Sequence, residues 1–303
     1  DCPEHQAMTD AALSTRATVA HEESVVGTRS GVRYLISAIA IFLSALMLAP
    51  VVLSFFASIK TKADASSVPP TYLPHSFSLE NYASIYNYQA GLWTYVGNSL
   101  SVAAITIVFV IVLAVPAGYG LARFQFRGKE LLFLVLLLPL MIPYQALLVP
   151  IYMMFAKIGL ANTQVGLAVI HTILQVPFSV YLMRNSFEGV PKELEEAALI
   201  DGGSSFQCFT RVSLPLVLPG VVTIALFAFI TSWNEFLAAL IVMNRESAFT
   251  VPIMLVGVRT GHLGAVDWGS LQAGIIVSII PCIAIYVFLQ KYYVSGLLSG
   301  AVK

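Results

Sequence analysis

The sequence predicts an all-α integral membrane protein with six transmembrane helices and one substantial cytoplasmic loop. Three observations lead there. Apolar residues make up 58% of the 303 residues and charged residues 11%, with mean hydropathy +0.83; soluble domains run about 45–50% apolar and about 25% charged. The 16 Lys+Arg and 16 Asp+Glu give a formal net charge of zero, so there is no basic field to attract phosphates. Charge-free windows long enough to cross a ~30 Å hydrocarbon core, which takes about 20 residues, recur along the chain. A soluble enzyme, a disordered chain and a nucleic-acid binder are excluded, and the solvent for this surface is the lipid bilayer.

The tail comes first. Residues 1–30 are polar, mix acids with bases, and lack the apolar stretch of a signal peptide. They read as a largely disordered tail. Met8, followed by Thr-Asp-Ala-Ala, resembles a natural start, which would make residues 1–7 foreign to the native chain.

The charge-free windows are 34–59, 81–122 with its apolar part from Ser99, 131–156, 158–183, 212–234 continuing to Met243, and 268–290. With the N-terminus inside, the cytoplasmic segments hold Arg16, Arg29, Arg33, Arg123, Arg127, Lys129, Arg184, Lys192, Arg211, Lys291 and Lys303. The outside segments hold only Lys60, Lys62, Lys157, Arg245 and Arg259. This excess of inside bases predicts both termini in the cytoplasm. Cys2, Cys208 and Cys282 are far apart, form no CxxC or metal-type spacing, and read as unpaired.

The first outside loop, about 60–97, opens with Pro69-Pro70 and reaches Pro74. Ser78 then caps a predicted short helix with Tyr82, Ile85 and Tyr86 on one face. Tyr88, Trp93 and Tyr95 suit a membrane–water boundary, or a docking surface for an outside partner.

The inside loop, residues 184–214, is the most informative stretch. Pro191 suits a first helical position. Glu193, Glu195 and Glu196 lie in the first turns, where the helix dipole favours negative charge. Leu194, Ala197 and Ala198 make a shallow apolar face that another surface can approach closely. Gly202-Gly203 supplies a left-handed stop, and Ser204 with Gln207 makes a capping box for a second helix with Phe206 and Phe209 on its apolar side. A helix this short is unstable alone and needs something to pack on.

Glu196-Ala197-Ala198, three residues, Gly202, nine residues, then Val212-Ser213-Leu214-Pro215 resembles the EAA loop of ABC-importer permeases, with Val212 in place of Ile. Leu79-Glu80-Asn81-Tyr82, Asn98-Ser99-Leu100, Tyr119-Gly120-Leu121-Ala122-Arg123, Ser232-Trp233-Asn234-Glu235-Phe236 and the ending Gly296–Lys303 are similar to the carbohydrate-uptake subgroup with maltose-permease-like members. The resemblance covers residues 31–303 and implies the type I importer permease fold.

That resemblance also implies a machine. A second permease chain completes the pore, two ATPase subunits sit beneath, and an extracytoplasmic solute-binding protein delivers a sugar or sugar derivative. Glu196, Ala197, Ala198, Leu199, Asp201 and Gly202 would contact an ATPase subunit, with Glu196 supplying a polar contact and Gly202 the turn. ATP and Mg would belong to those subunits. This chain has no Walker-type sequence and would be a non-catalytic pore subunit of a bacterial inner membrane.

Ionisable and polar groups within spans are functional suspects. Glu235 stands first, with Trp233 and Asn234 beside it, or else span five ends early and leaves Glu235 in water. His171 and Gln175 share one helix face in span four, either lining a path or bonding neighbouring helices. Tyr144 and Gln145 beside Pro143, and Asn98, complete the candidate sugar path. An intramembrane enzyme lacks its motifs here, and no TVGYG-type filter is present. A secondary transporter is the alternative, but it leaves the acidic loop unexplained.

Overall fold

A computed structural model describes residues 32–260 and 266–301, with side chains to residue 288. The tail 1–30, Cys2, Met8, the side chains of 291–301 and Lys303 lie outside the described residues. All regular structure among the described residues is helical.

The chain divides into two compact units, one ending at Ser54 and one beginning at Phe55. Helix α1, Val32–Ser58, crosses that boundary and is apolar enough to span a bilayer. In the second unit, α2 (Lys62–Ala65) and α3 (Glu80–Tyr86) precede the long α4 (Leu92–Arg123). Then come α5 (Lys129–Leu137), two 3-10 turns (Leu138–Met141 and Tyr144–Leu147), α6 (Leu148–Lys157) and α7 (Gln164–Glu188). The loop helix α8 (Lys192–Ile200) is followed by α9 (Ser205–Gln207), a π turn (Cys208–Ser213), α10 (Leu214–Leu216) and α11 (Leu218–Asn234). Helices α12 (Leu237–Val242), α13 (Val251–Thr260) and α14 (Trp268–Ala301) close the described chain.

Four helices are long and apolar enough to cross a membrane unbroken, and two bent pairs raise the number to six. The predicted third span is not one straight helix. It turns by 90° between Lys129–Met141 and Tyr144–Lys157, because Pro139 and Pro143 remove ladder donors within five residues. The fifth bends by 74° at Val217, between Pro215 and Pro219, and α11 stops at Asn234 rather than running on to Met243. The fourth begins at Gln164, capped by the Thr163 hydroxyl, because residues 158–163 form a turn with positive φ at Gly159 and Asn162.

Helices α4, α7 and α11 pack together as the centre of the unit. Gly118 permits the closest approach: a Cβ there would lie 2.5 Å from Met183 Cβ and 2.9 Å from the Arg184 amide. Near the loop end, Val110, Ala114, Val115, Met183, Phe187 and Ile224 form one buried cluster. At the other end, α3 is short, and the Ser78 hydroxyl accepts the Glu80 amide at 3.2 Å. Ile85 is buried while Tyr86 is exposed, so the three predicted facial residues do not share one burial. Tyr95 is fully buried, whereas Trp93 is exposed. Asn98 sits inside α4, donating to the Ser247 and Phe249 carbonyls at 2.8 and 2.9 Å.

Candidate functional site: a clasped loop helix and a buried polar cluster

Helix α8 starts one residue later than expected. Pro191 is its N-cap, with Glu193 and Glu195 in the first turn. It ends as the sequence demands. Gly202 takes φ +84°, and the Gly203 amide donates to the Ala198 carbonyl at 2.9 Å. A Cβ on Gly203 would lie 2.7 Å from that carbonyl oxygen, so the second glycine is a matter of space and the first of conformation. The capping box is complete: the Gln207 amide donates to Ser204 Oγ and the Ser204 amide to Gln207 Oε1.

The structure divides the predicted docking residues by face. Glu196, Ala197, Leu199, Asp201 and Gly202 are exposed, and Ala198 is half-buried. Leu194 is exposed, so it does not share burial with Ala198. Ile200 is 86% exposed and Phe206 73% exposed. Phe209 instead packs its ring on Tyr119 at 4.8 Å.

The acid that holds the helix is Glu195, not Glu196. Arg123 Nε donates to Glu195 Oε1 at 2.7 Å, and the Tyr119 hydroxyl to Oε2 at 3.2 Å. The Ser213 hydroxyl also donates to Oε1. Arg123 Nη2 reaches the Val190 carbonyl at 2.8 Å, bracing the linker that enters α8. Sequence reasoning missed this arrangement. Its signal is the four-residue spacing of Tyr119 and Arg123, which puts hydroxyl and guanidinium on one face at the helix end.

A second constellation lies within the helical body. The Glu235 carboxylate receives the Tyr144 hydroxyl at 3.0 Å and the Ala238 and Ala239 amides at 2.9 and 3.1 Å. His171 Nε2 stands 3.3 Å from its other oxygen, and His171 Nδ1 is 2.8 Å from Ser232 Oγ. Glu235 is 9% exposed, so it does not sit in water. It fills the break between α11 and α12, acting as an acceptor for the first free amides of α12.

The other path candidates do not join it. Trp233 is buried, stacks on Phe229 and donates to the Ser278 carbonyl at 3.1 Å. Asn234 points outward and bonds the Ile230 carbonyl one turn back. Gln175 accepts from Thr231 at 3.3 Å, and its amide nitrogen has no partner among the described residues. Gln145 is exposed. Among the described residues no group of acidic, His and Cys side chains is arranged to hold a metal.

The described helices include several apolar enough to span a bilayer, together with a capped loop helix whose outer side is exposed. The chain belongs to the family of binding-protein-dependent transport system inner membrane components, which matches residues 114–298. It is 38% identical over 231 residues to the probable ABC transporter permease protein YurM of Bacillus subtilis, covering 76% of each chain. It is 33% identical over 268 residues to the diacetylchitobiose uptake system permease protein DasC of Streptomyces coelicolor, covering 88% of this chain and 95% of that one. A solved bacterial ABC transporter involved in import of the acidic polysaccharide alginate has a chain that superposes with TM-score 0.73 at 23% identity, covering 86% of this chain and 95% of that one. The protein is therefore a multi-pass permease subunit of an ABC importer with the type I fold. The secondary-transporter alternative falls with this membership.

Proposed function

We propose that this permease imports a sugar or sugar derivative, with α8 seated in a groove of a partner ATPase subunit and both termini in the cytoplasm. One observation supports the docking role above the rest. A nine-residue helix holds its inner side by Glu195 and turns Glu196, Ala197 and Ile200 outward. Exposed large apolar side chains on a rigidly stopped helix ask for a partner surface. Ala197 allows close approach, Leu199 supplies apolar area, and Glu196 and Asp201 offer polar contacts. Gly202 leaves open space where a side chain would meet the partner.

In this reading hydrolysis is the partner's chemistry. ATP and Mg sit on two ATPase subunits, a second permease completes the pore, and an extracytoplasmic binding protein delivers the solute. The excess of Lys and Arg in the segments on the α8 side supports the orientation. A sugar is supported by relatives such as the diacetylchitobiose permease. In this reading Tyr144, His171 and Glu235 flank the path as a fixed polar group, while Asn234 is exposed and the Gln175 amide nitrogen has no partner among the described residues. Trp233 backs the path from within the core.

The test is purification from the native membrane in mild detergent. A second permease and an ATPase should accompany the chain, and Ile200→Asp should release the ATPase. Co-purification unchanged by Ile200→Asp, with normal hydrolysis, contradicts the docking role.

A further inference from the structure

We propose that Arg123 and Glu195 form the joint through which α8 moves the pore, as positioning residues that fix the loop helix to the end of α4. The proposal rests on α8 being the ATPase-docking helix.

No residue of α8 is buried, and nine residues are too few for a helix to stand alone. Its direction relative to the spans cannot come from a hydrophobic seat. It comes from directional bonds, and Glu195 receives them. Both carboxylate oxygens are occupied, by Arg123 and Ser213 on one and Tyr119 on the other. The donors come from α4 and from the end of the π turn, while Arg123 also grips Val190 just before α8 begins. One guanidinium thus fixes the helix and its leading linker together. A lysine, with a single ammonium point, cannot span both directions with the same geometry.

The joint is dry. The Arg123 and Glu195 side chains are 6% and 12% exposed. A pair shielded to this degree is costly to break one partner at a time. When α8 is displaced, the end of α4 has to follow or these bonds must all open. Tyr119 links the clasp to the core by packing edge-on against Phe187 at 5.3 Å. Through Tyr119 and Gly118 the same stretch of α4 meets α7, so displacement reaches two spans at once.

The test uses the whole transporter, with its ATPase subunits, in lipid nanodiscs. Spin labels at Lys192 on α8, outside the docking residues, and Val112 on α4, both exposed within this chain, report their separation with and without MgATP and vanadate. The expected result is one narrow distance, unchanged between the two states. In Arg123→Gln the distribution should broaden while the ATPase subunits still co-purify. Hydrolysis stimulated by the binding protein should fall about tenfold, within the usual range for coupled sites. Glu195→Gln should fall similarly, and the double variant should lose little more, because both members break one linkage. Arg123→Lys should recover part of the stimulation.

A wild-type separation that changes by about 5 Å, one helical turn, overturns the joint even if no variant folds. So does an Arg123→Gln protein with unaltered distances and stimulation. Ile200→Asp separates the two ideas. Its failure to release the ATPase refutes the docking reading, whereas release with a silent Arg123→Gln refutes the joint alone.

Discussion

Tyr144 and Glu235 lie 91 positions apart in sequence, yet the tyrosine hydroxyl donates to the carboxylate at 3.0 Å. The contact ties the 3-10 turn of the bent third span to the break after α11. With His171 and two α12 amides on the same carboxylate, Glu235 is a brace between these elements.

Removing that brace should be costly. Tyr144→Phe should destabilise by about 1.5–3 kcal/mol, the range for a hydrogen bond to a charged group. Glu235→Ala should cost more, about 3–5 kcal/mol, because its donors lose a buried acceptor together. Unfolding titrations in detergent measure both, and equal losses would mean that the remaining donors contribute nothing.

Gly118 should tolerate no side chain. Gly118→Ala sets a Cβ 2.5 Å from Met183 Cβ in a packed interface, so α4 and α7 must separate. Overpacking of this kind costs about 1–3 kcal/mol. Gly97, with nothing within 4 Å of its added Cβ, is the control and should change little. Thermal unfolding of the two alanine variants compares them directly.

The two loop glycines should fail differently. Gly202 needs φ +84° in open space, so Gly202→Asn, which tolerates that region, should keep α8 folded. Gly202→Asp should likewise remain inserted but lose ATPase association, since the new side chain faces the partner. Gly203→Ala meets the Ala198 carbonyl and should loosen the stop itself. Limited proteolysis of residues 200–207 separates the outcomes: Gly203→Ala is cut faster, and Gly202→Asn is not.

Acid should weaken the loop after α1. The His75 ring, then its backbone amide, with smaller help from Thr71 and Lys60, lowers Asp64 from its ordinary 3.8 to about 2. A depressed carboxyl contributes stability fully above its unfolded value and loses it as pH falls through the folded one. The stability gap between the native chain and Asp64→Asn should therefore be widest above pH 4. It should close between about pH 4 and pH 2. A gap constant across that range refutes the ionic role.

The four unbroken candidate spans were readable because about 20 apolar residues have one use in a chain this poor in charge. The bends were not, since Pro139, Pro143, Pro215 and Pro219 fit a kink, a turn or a helix start equally well until neighbours choose. Glu235 was conspicuous as an acid in an apolar run. Its meeting with Tyr144 and His171 was invisible, because nothing local sets which spans adjoin. The loop shows the sharpest limit. The glycine stop and the capping box are local chemistry and were legible, whereas Glu195 and Glu196 look alike in sequence. Only the rotation of α8 against Arg123 turns one inward and leaves the other exposed.

Cysteine cross-linking of α8 to the ATPase subunit tests the central claim most directly. In the assembled transporter, with Cys2, Cys208 and Cys282 replaced, a single cysteine at Ala197 should give a covalent product with the ATPase subunit on treatment with a short bifunctional reagent. A cysteine at Tyr86, exposed at the opposite end, should give none. ATPase that co-purifies yet never cross-links to position 197 would contradict the account.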